Sequence, residues 1–307
     1  MKYVVTGGYG FIGSQLANAL KGDVTIISKT NTHKKKVIRP VHEIIKNINN
    51  ITPKDIEGAD VIYHLASTVD NYHILDDPYL DIDTNLKGTI NLLECIKNLP
   101  KKPKLIYSSS FFVYGNVYEE DQKPINEISR TDPLALYPAT KLCAENIIKC
   151  YAKLYDFPYI IVRFSNVYGD QEEVTSKKAA LNLLIWKAVH GEIIPVYNNG
   201  NFYRDYIYVD DVVRALQLLE EKVHNDTFLI AYGKKVKFKD MIDFLLSKTK
   251  GSSLKSLEPP FFHQVVGIRN FVTDTSKINK LGWSPTIDYK EGISRIIKKY
   301  KKSLNSS

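Results

Sequence analysis

The sequence predicts an α/β fold: a doubly wound parallel sheet with a smaller, mixed α/β C-terminal region. Three features point there. Short β-branched runs alternate with amphipathic helical stretches through the first half of the chain. A glycine-rich turn links the first run to the first helix, and the regular alternation fades after about Val167.

Tyr3 to Thr6, Val24 to Ser28, Val61 to Leu65, Leu105 to Ser109 and Tyr159 to Arg163 read as buried parallel strands, because each is a nearly continuous apolar run. Phe11 to Leu20, Asp83 to Asn98 and Ala139 to Tyr155 read as the intervening helices. Right-handed crossovers then leave little topological freedom. Further on, Pro195-Val196-Tyr197 reads as a short strand before a turn at Asn198-Asn199-Gly200, and Asp210 to Glu221 as a helix with Asp210 as its cap. Pro259-Pro260 and Gly282-Trp283-Ser284-Pro285 mark loops, and Ser303 to Ser307 a frayed tail.

At 307 residues, 44% hydrophobic and 25% charged, the chain can bury a large core without metals or disulfides. Cys95, Cys143 and Cys150 form no CxxC pair and sit in apolar helical patterns, which argues for reduced thiols and against a metal site. Met1-Lys2 leads at once into a strand and glycines, and no apolar run reaches the roughly 18 residues of a membrane span. A cytoplasmic protein with no membrane partner is expected. The net charge of +8 comes from dispersed lysines, the densest at Lys34 to Lys36 and Lys299 to Lys302. Solvated faces or an anionic substrate explain it better than nucleic acid, for which no binding motif is present.

Thr6-Gly7-Gly8-Tyr9-Gly10-Phe11-Ile12-Gly13-Ser14 joins the first strand to the first helix. Gly7, Gly10 and Gly13 are spaced for a tight turn, a close approach to a pyrophosphate and packing of helix on sheet. The N–H groups of Phe11 and Ile12 then open a helix whose positive end faces the phosphates. This is a Rossmann-type dinucleotide site. The expected division is an NAD(P)-binding domain over 1–166, with 205–224 packing back onto it, and a substrate-binding region over 167–204 and 225–307.

TGGYGFIGS resembles the TGxxGxxG fingerprint of the extended short-chain dehydrogenase/reductases, the group of NAD-dependent epimerases and dehydratases that modify nucleotide-sugars. The resemblance continues through HLAS at 64–67, YSSSFFVYG at 107–115, YPATK at 137–141, RFSNVYG at 163–169 and RDYIYVDDV at 204–212. It implies a soluble oxidoreductase or epimerase acting on the sugar of a nucleotide-sugar, commonly as a homodimer built on the helices 83–98 and 139–155. It also places Asn47 and Ile48 beside the adenine, and Leu65, Ala66 and Ser67 along the cofactor. Members that prefer NAD carry an acid after the second strand. This chain has Ser28-Lys29-Thr30-Asn31 there, followed by Lys34 to Lys36 and Arg39, which favours NADP(H) over NAD(H).

Tyr137 and Lys141 stand four residues apart and so share a helix face. A free phenol with a pKa of about 10 is a poor base near neutrality, and a neighbouring ammonium lowers that value. By resemblance Ser110 completes a Ser/Tyr/Lys triad that moves a proton as hydride moves to or from the nicotinamide. Dehydrating relatives carry Asp-Glu after the triad hydroxyl, and decarboxylating ones keep a glutamate. Phe111 and Phe112 stand there instead, which leaves plain redox chemistry at C4. The leading expectation is a nucleotide-sugar 4-epimerase or 4-dehydrogenase-like enzyme. An NADPH-dependent 4-keto-sugar reductase is the alternative, and a non-catalytic dinucleotide sensor a distant one.

On the substrate side the resemblance gives Asn166, and Arg204 for the diphosphate, whose oxygens suit a guanidinium fork. Arg269 is a second candidate, and Ser67, Thr68, Val69 and Ser110 line the sugar end. An ion pair of Arg204 with Asp205 or Asp210 is the competing reading. His64, with no second metal ligand at useful spacing, reads as a packed residue.

Overall fold

All five expected parallel strands form within one residue of their expected limits: β1 (Lys2–Thr6), β2 (Asp23–Ser28), β4 (Val61–His64), β5 (Lys104–Ser110) and β6 (Tyr159–Phe164). The structure is a computed structural model describing residues 1–68, 73–172, 174, 180–268 and 270–304. Two strands of the central sheet escaped the sequence pattern. β3 (His42–Ile45) is a half-polar edge strand with no apolar run to reveal it. β11 (Asp226–Ile230) follows a region where the alternation had lapsed.

The described residues form a seven-stranded sheet in the order β11-β6-β5-β4-β1-β2-β3, and the six pairing strands from β6 to β3 run parallel. The order reverses between β1 and β4, and the carboxyl ends of strands at such a point are where α/β sheets bind ligands.

Helix α1 (Phe11–Ala19) follows β1 directly. α2 (Gly88–Lys97) continues a helical stretch whose preceding turn, Ile82–Lys87, is wound as a π-helix. α3 (Leu136–Tyr155) begins three residues earlier than the apolar pattern indicates, because Pro138 lies in the first turn, where its missing N–H would have no partner. Leu92, Leu93 and Ile96 of α2 pack with Ala144 and Ile148 of α3 against Ile62, Leu105 and Ile161 of the sheet. Those helix faces serve the core of this unit, and Leu142 is only half-buried.

Two compact units are distinguished: Met1–Val113 with Pro133–Phe164 and Val213–Leu229, and Tyr114–Asp132 with Ser165–Val212 and Ile230–Ser307. The first holds the sheet. The second contains three small strand pairs: β7 (Asn166–Tyr168) with β10 (Tyr206–Tyr208), β8 (Ile194–Tyr197) with β13 (Leu254–Leu257), and β9 (Tyr203–Arg204) with β12 (Val236–Lys237). The helix expected from Asp210 spans Val209–Lys222, so Asp210 lies in its first turn rather than at its cap, and it pairs with Arg295 at 3.1 Å.

Candidate active site

The glycine-rich turn is forced by contact. Gly7 has φ +69, and a Cβ there would lie 2.8 Å from the Ala66 nitrogen; one on Gly13 would lie 2.5 Å from the Gly7 oxygen. Gly10, by contrast, is exposed. The start of α1 has no side-chain cap and no acid in its first turn, so the N–H groups of Phe11 and Ile12 are left for an anion. These residues fit the pyrophosphate of a dinucleotide.

At the carboxyl end of β2, Ser28 is half-buried and Lys29 exposed. Two of the cations that suggested a 2′-phosphate have other partners. Lys34 pairs with Glu43 at 3.1 Å, and Arg39 donates to the carbonyls of Leu20 and Gly22. Glu43 also accepts from the Tyr9 hydroxyl, tying β3 to the glycine-rich turn. Asn47 caps the turn that follows it by accepting from Asn49 N at 3.0 Å. Ile48 is core, so only its backbone can meet a ligand.

Where β1 and β4 diverge, a continuous hydrogen-bond chain crosses the sheet. Ala66 N donates to Thr6 Oγ1 at 3.2 Å, and Thr6 Oγ1 lies 2.7 Å from His64 Nδ1. On the far side His64 Nε2 meets Thr89 Oγ1 at 3.0 Å, while Thr89 donates onward to the Asn85 carbonyl at 2.6 Å. Thr89 has spent its proton on Asn85, so His64 must donate from Nε2 and accept at Nδ1 from Thr6. Burial, then the nearby Lys141, hold this imidazole neutral with its pKa near about 3. His64 is therefore a packed residue, as expected.

Ser110 ends β5, and Tyr137 and Lys141 lie on successive turns of α3; all three are buried. Burial pushes the Tyr137 phenol up to about 12, while hydrogen bonds to Ser110 and Ser67 pull the other way. Burial brings the Lys141 amine down to about 7, opposed by the charge of Glu145. The amine donates to Ser67 Oγ at 3.2 Å and lies 4.5 Å over the Tyr107 ring. Phe112 donates its N–H to Ser110 Oγ at 3.3 Å and sets its ring edge-on to Tyr137 at 6.4 Å. The arrangement can exchange a proton with a hydroxyl placed against Ser110 and Tyr137, and it offers no acid or base at 111 or 112.

Asn85, which sequence reasoning missed, organises this group from the π-helical turn. Its Oδ1 accepts from Ser67 Oγ and Thr68 N, both at 2.9 Å, and its Nδ2 donates to Thr68 Oγ1 at 2.7 Å and Thr140 Oγ1 at 3.1 Å. Polar residues four apart on one helix face, Asp81, Asn85 and Thr89, were the available clue. Glu145 and Arg163, a buried ion pair at 2.6 Å, were missed too; the spacing of Tyr137, Lys141 and Glu145 was the clue there.

In the second unit, Asn166 uses Nδ2 on the Asp205 carbonyl at 2.9 Å. Arg204 is half-buried, lies 4.7 Å over the Phe202 ring and donates to the carbonyls of Tyr203 and Ile268. The acids named as its competing partners are engaged elsewhere. Asp205 accepts from Ser165 Oγ, Thr273 Oγ1, Tyr232 N and Gly233 N within 2.8 Å, and Asp210 pairs with Arg295. Arg269 and Val69 lie outside the described residues. Among the described residues no group of three metal-ligating side chains occurs, and no helix is long and apolar enough to cross a membrane.

Residues 3–231 match the model of the NAD dependent epimerase/dehydratase family. The chain belongs to this family. Among its curated members, a putative UDP-glucose 4-epimerase of Methanocaldococcus jannaschii is 31% identical over 96% of each chain. The UDP-glucose 4-epimerase of Thermotoga maritima, solved with UDP-glucose, superposes with a TM-score of 0.88 at 26% identity, covering 99% of this chain and 100% of that one. The UDP-glucuronic acid 4-epimerase of Bacillus cereus, solved with UDP-glucuronic acid and NAD, gives 0.87 at 26% identity over the same shares. The chain is thus an enzyme of the short-chain dehydrogenase type that uses a nicotinamide dinucleotide.

Proposed function

We propose that the chain is a nucleotide-sugar 4-epimerase, with UDP-sugars as the substrate class. The observation that carries this reading is the burial of Ser110, Tyr137 and Lys141 together, with Lys141 one helical turn from Tyr137 and its amine 3.2 Å from the Ser67 hydroxyl. The relatives named above act on UDP-sugars at C4, and Phe111 and Phe112 remove the groups that dehydration needs.

In this reading Tyr137 takes the proton of the C4 hydroxyl and later returns it to the same oxygen, while inversion comes from return of the hydride to the opposite face of C4. Ser110 orients the reacting oxygen, and Lys141 supplies positive charge that favours tyrosinate. The bound dinucleotide supplies the hydride acceptor and donor. Gly7, Gly10, Gly13 and the N–H groups of Phe11 and Ile12 hold its pyrophosphate, with Asn47, Leu65, Ala66 and Ser67 along its length. Arg204 binds the substrate diphosphate. Asn166 has its amide nitrogen committed, so its Oδ1 is suited to a sugar hydroxyl rather than to a phosphate oxygen.

We take NAD(H) as the cofactor. The partners of Lys34 and Arg39 leave the NADP(H) reading resting on Ser28, Lys29, Thr30 and the exposed Lys35, and a solved relative holds NAD. We also take the protein to be a homodimer through α3, whose outer face exposes Cys143, Cys150 and Leu154.

The test is to denature freshly purified protein and identify the dinucleotide released. NAD(H) near one per chain is the expected result, since an epimerase recycles its cofactor internally. Empty protein that binds NADPH on titration would instead support the 4-keto-sugar reductase.

A further inference from the structure

Tyr137, Lys141 and Glu145 recur every four residues along α3 and form one stripe on the helix. The third of them is aimed at the sheet. Its fully buried carboxylate accepts from Arg163 Nε at 2.9 Å, from Arg163 Nη2 at 2.6 Å and from Ser109 Oγ at 2.5 Å. Ser109 and Arg163 are register partners across β5 and β6, and Ser109 directly precedes Ser110. A single carboxylate therefore fixes α3 to two adjacent strands, one residue from the Ser110 hydroxyl and one helical turn from Lys141.

Stability alone does not explain an ion pair here. Both groups lose their water, and well-packed apolar residues in place of such a pair are often neutral or stabilising. Beyond Lys141 the same helix uses apolar contacts for its other buried positions, Ala144, Ile148 and Ala152. A forked guanidinium–carboxylate pair supplies two things an apolar contact cannot: a fixed relative orientation of the elements it joins, and a negative charge beside Lys141. That charge opposes the effect of burial on the amine.

We propose that Glu145, clamped by Arg163 and Ser109, is a positioning residue: it sets α3 against the end of β5, so that Tyr137 meets Ser110, and keeps a negative charge one turn from the Lys141 amine. The proposal rests on the roles given above to Tyr137, Ser110 and Lys141.

Glu145→Gln alone would strand a buried guanidinium, so the variant to measure is Glu145→Gln/Arg163→Met, which removes both charges together. Its circular dichroism and melting temperature are expected to stay close to those of the wild type. On a UDP-sugar its kcat should fall by about 10- to 100-fold with little change in KM, because misplaced catalytic groups weaken the chemical step more than binding. The acidic limb of its kcat profile should also move to higher pH, since a less charged Lys141 favours tyrosinate less. Arg163→Lys, which keeps the charge but loses the fork, should recover part of the lost rate.

A second readout needs no substrate. Tyrosinate absorbance is titrated in the NAD-bound protein, with the same titration of a Tyr137→Phe background subtracted. The Tyr137 transition should move up by about one pH unit in the double variant. A well-folded double variant with wild-type kcat, pH profile and tyrosine titration would overturn the proposal, as would a change confined to KM. If the wild type turns over no nucleotide-sugar, the epimerase reading fails while the tyrosine titration still decides this one.

Discussion

The Lys141 amine and the Ser67 hydroxyl lie 3.2 Å apart, joining α3 to the segment that leaves β4 at the point where the strand order reverses. Ser67 also bonds Asn85, and its hydroxyl is one of two that favour the charged form of Tyr137. Ser67→Ala should therefore act on the chemical step. A fall in kcat of about tenfold is expected, equivalent to one hydrogen bond to a charged group, with the fold intact. Steady-state kinetics checks it; a rise in KM alone would make Ser67 a binding residue.

Tyr137→Phe should abolish turnover and leave dinucleotide binding close to that of the wild type. The substitution removes one oxygen from a residue buried among Phe112, Ser110 and Ser67, and the ring packing survives. Activity within tenfold of the wild type would exclude this phenol as the base.

The low proton affinity of Lys141 has a consequence for stability. Its folded value of about 7 lies below its ordinary value of 10.5, so between those limits the unfolded chain binds the extra proton. The contribution of this residue to stability is therefore lowest below about pH 7 and rises as pH climbs towards about 10.5, by something on the order of a few kcal/mol. Urea melts of the wild type and Lys141→Met at about pH 6.5 and about pH 9.5 should show the wild type gaining on the variant at the higher pH. An equal difference at both pH values would mean that the amine stays charged when folded.

NADH should bind the wild type more tightly than NADPH, and Lys29→Asp should widen the gap by repelling a 2′-phosphate. Equilibrium titration by nicotinamide fluorescence measures both. Tighter NADPH binding would restore the cofactor that the lysine-rich segment after β2 suggested.

Arg204→Ala should raise KM for a UDP-sugar by about 10- to 100-fold, the loss of a charged phosphate contact, and leave the affinity for NADH within twofold of the wild type. The reverse pattern would assign this arginine to the cofactor.

What was legible in the sequence was local. Val61 to Leu65 and Leu105 to Ser109 announce buried parallel strands by their apolar runs, and the glycines at 7, 10 and 13 are spaced by contacts within the turn and with the end of β4. What was hidden depends on residues distant in the chain. Arg163 meets Glu145 only once β6 lies beside β5, and Asn85 meets Thr140 only once α3 packs on the helical stretch before α2. The partners of two cations after β2 were hidden for the same reason: Glu43 and the carbonyls of Leu20 and Gly22, which engage Lys34 and Arg39, lie on other elements.

The most direct test of the central claim is proton NMR of UDP-glucose incubated with the purified enzyme in deuterated water, with no added dinucleotide. Inversion at C4 to UDP-galactose is expected, with protium retained at that carbon because the hydride returns from the bound cofactor. The Tyr137→Phe variant should leave the spectrum unchanged. No inversion with UDP-glucose, UDP-N-acetylglucosamine or UDP-glucuronic acid, together with consumption of NADPH by a 4-keto nucleotide-sugar, would contradict the epimerase and make the enzyme a reductase.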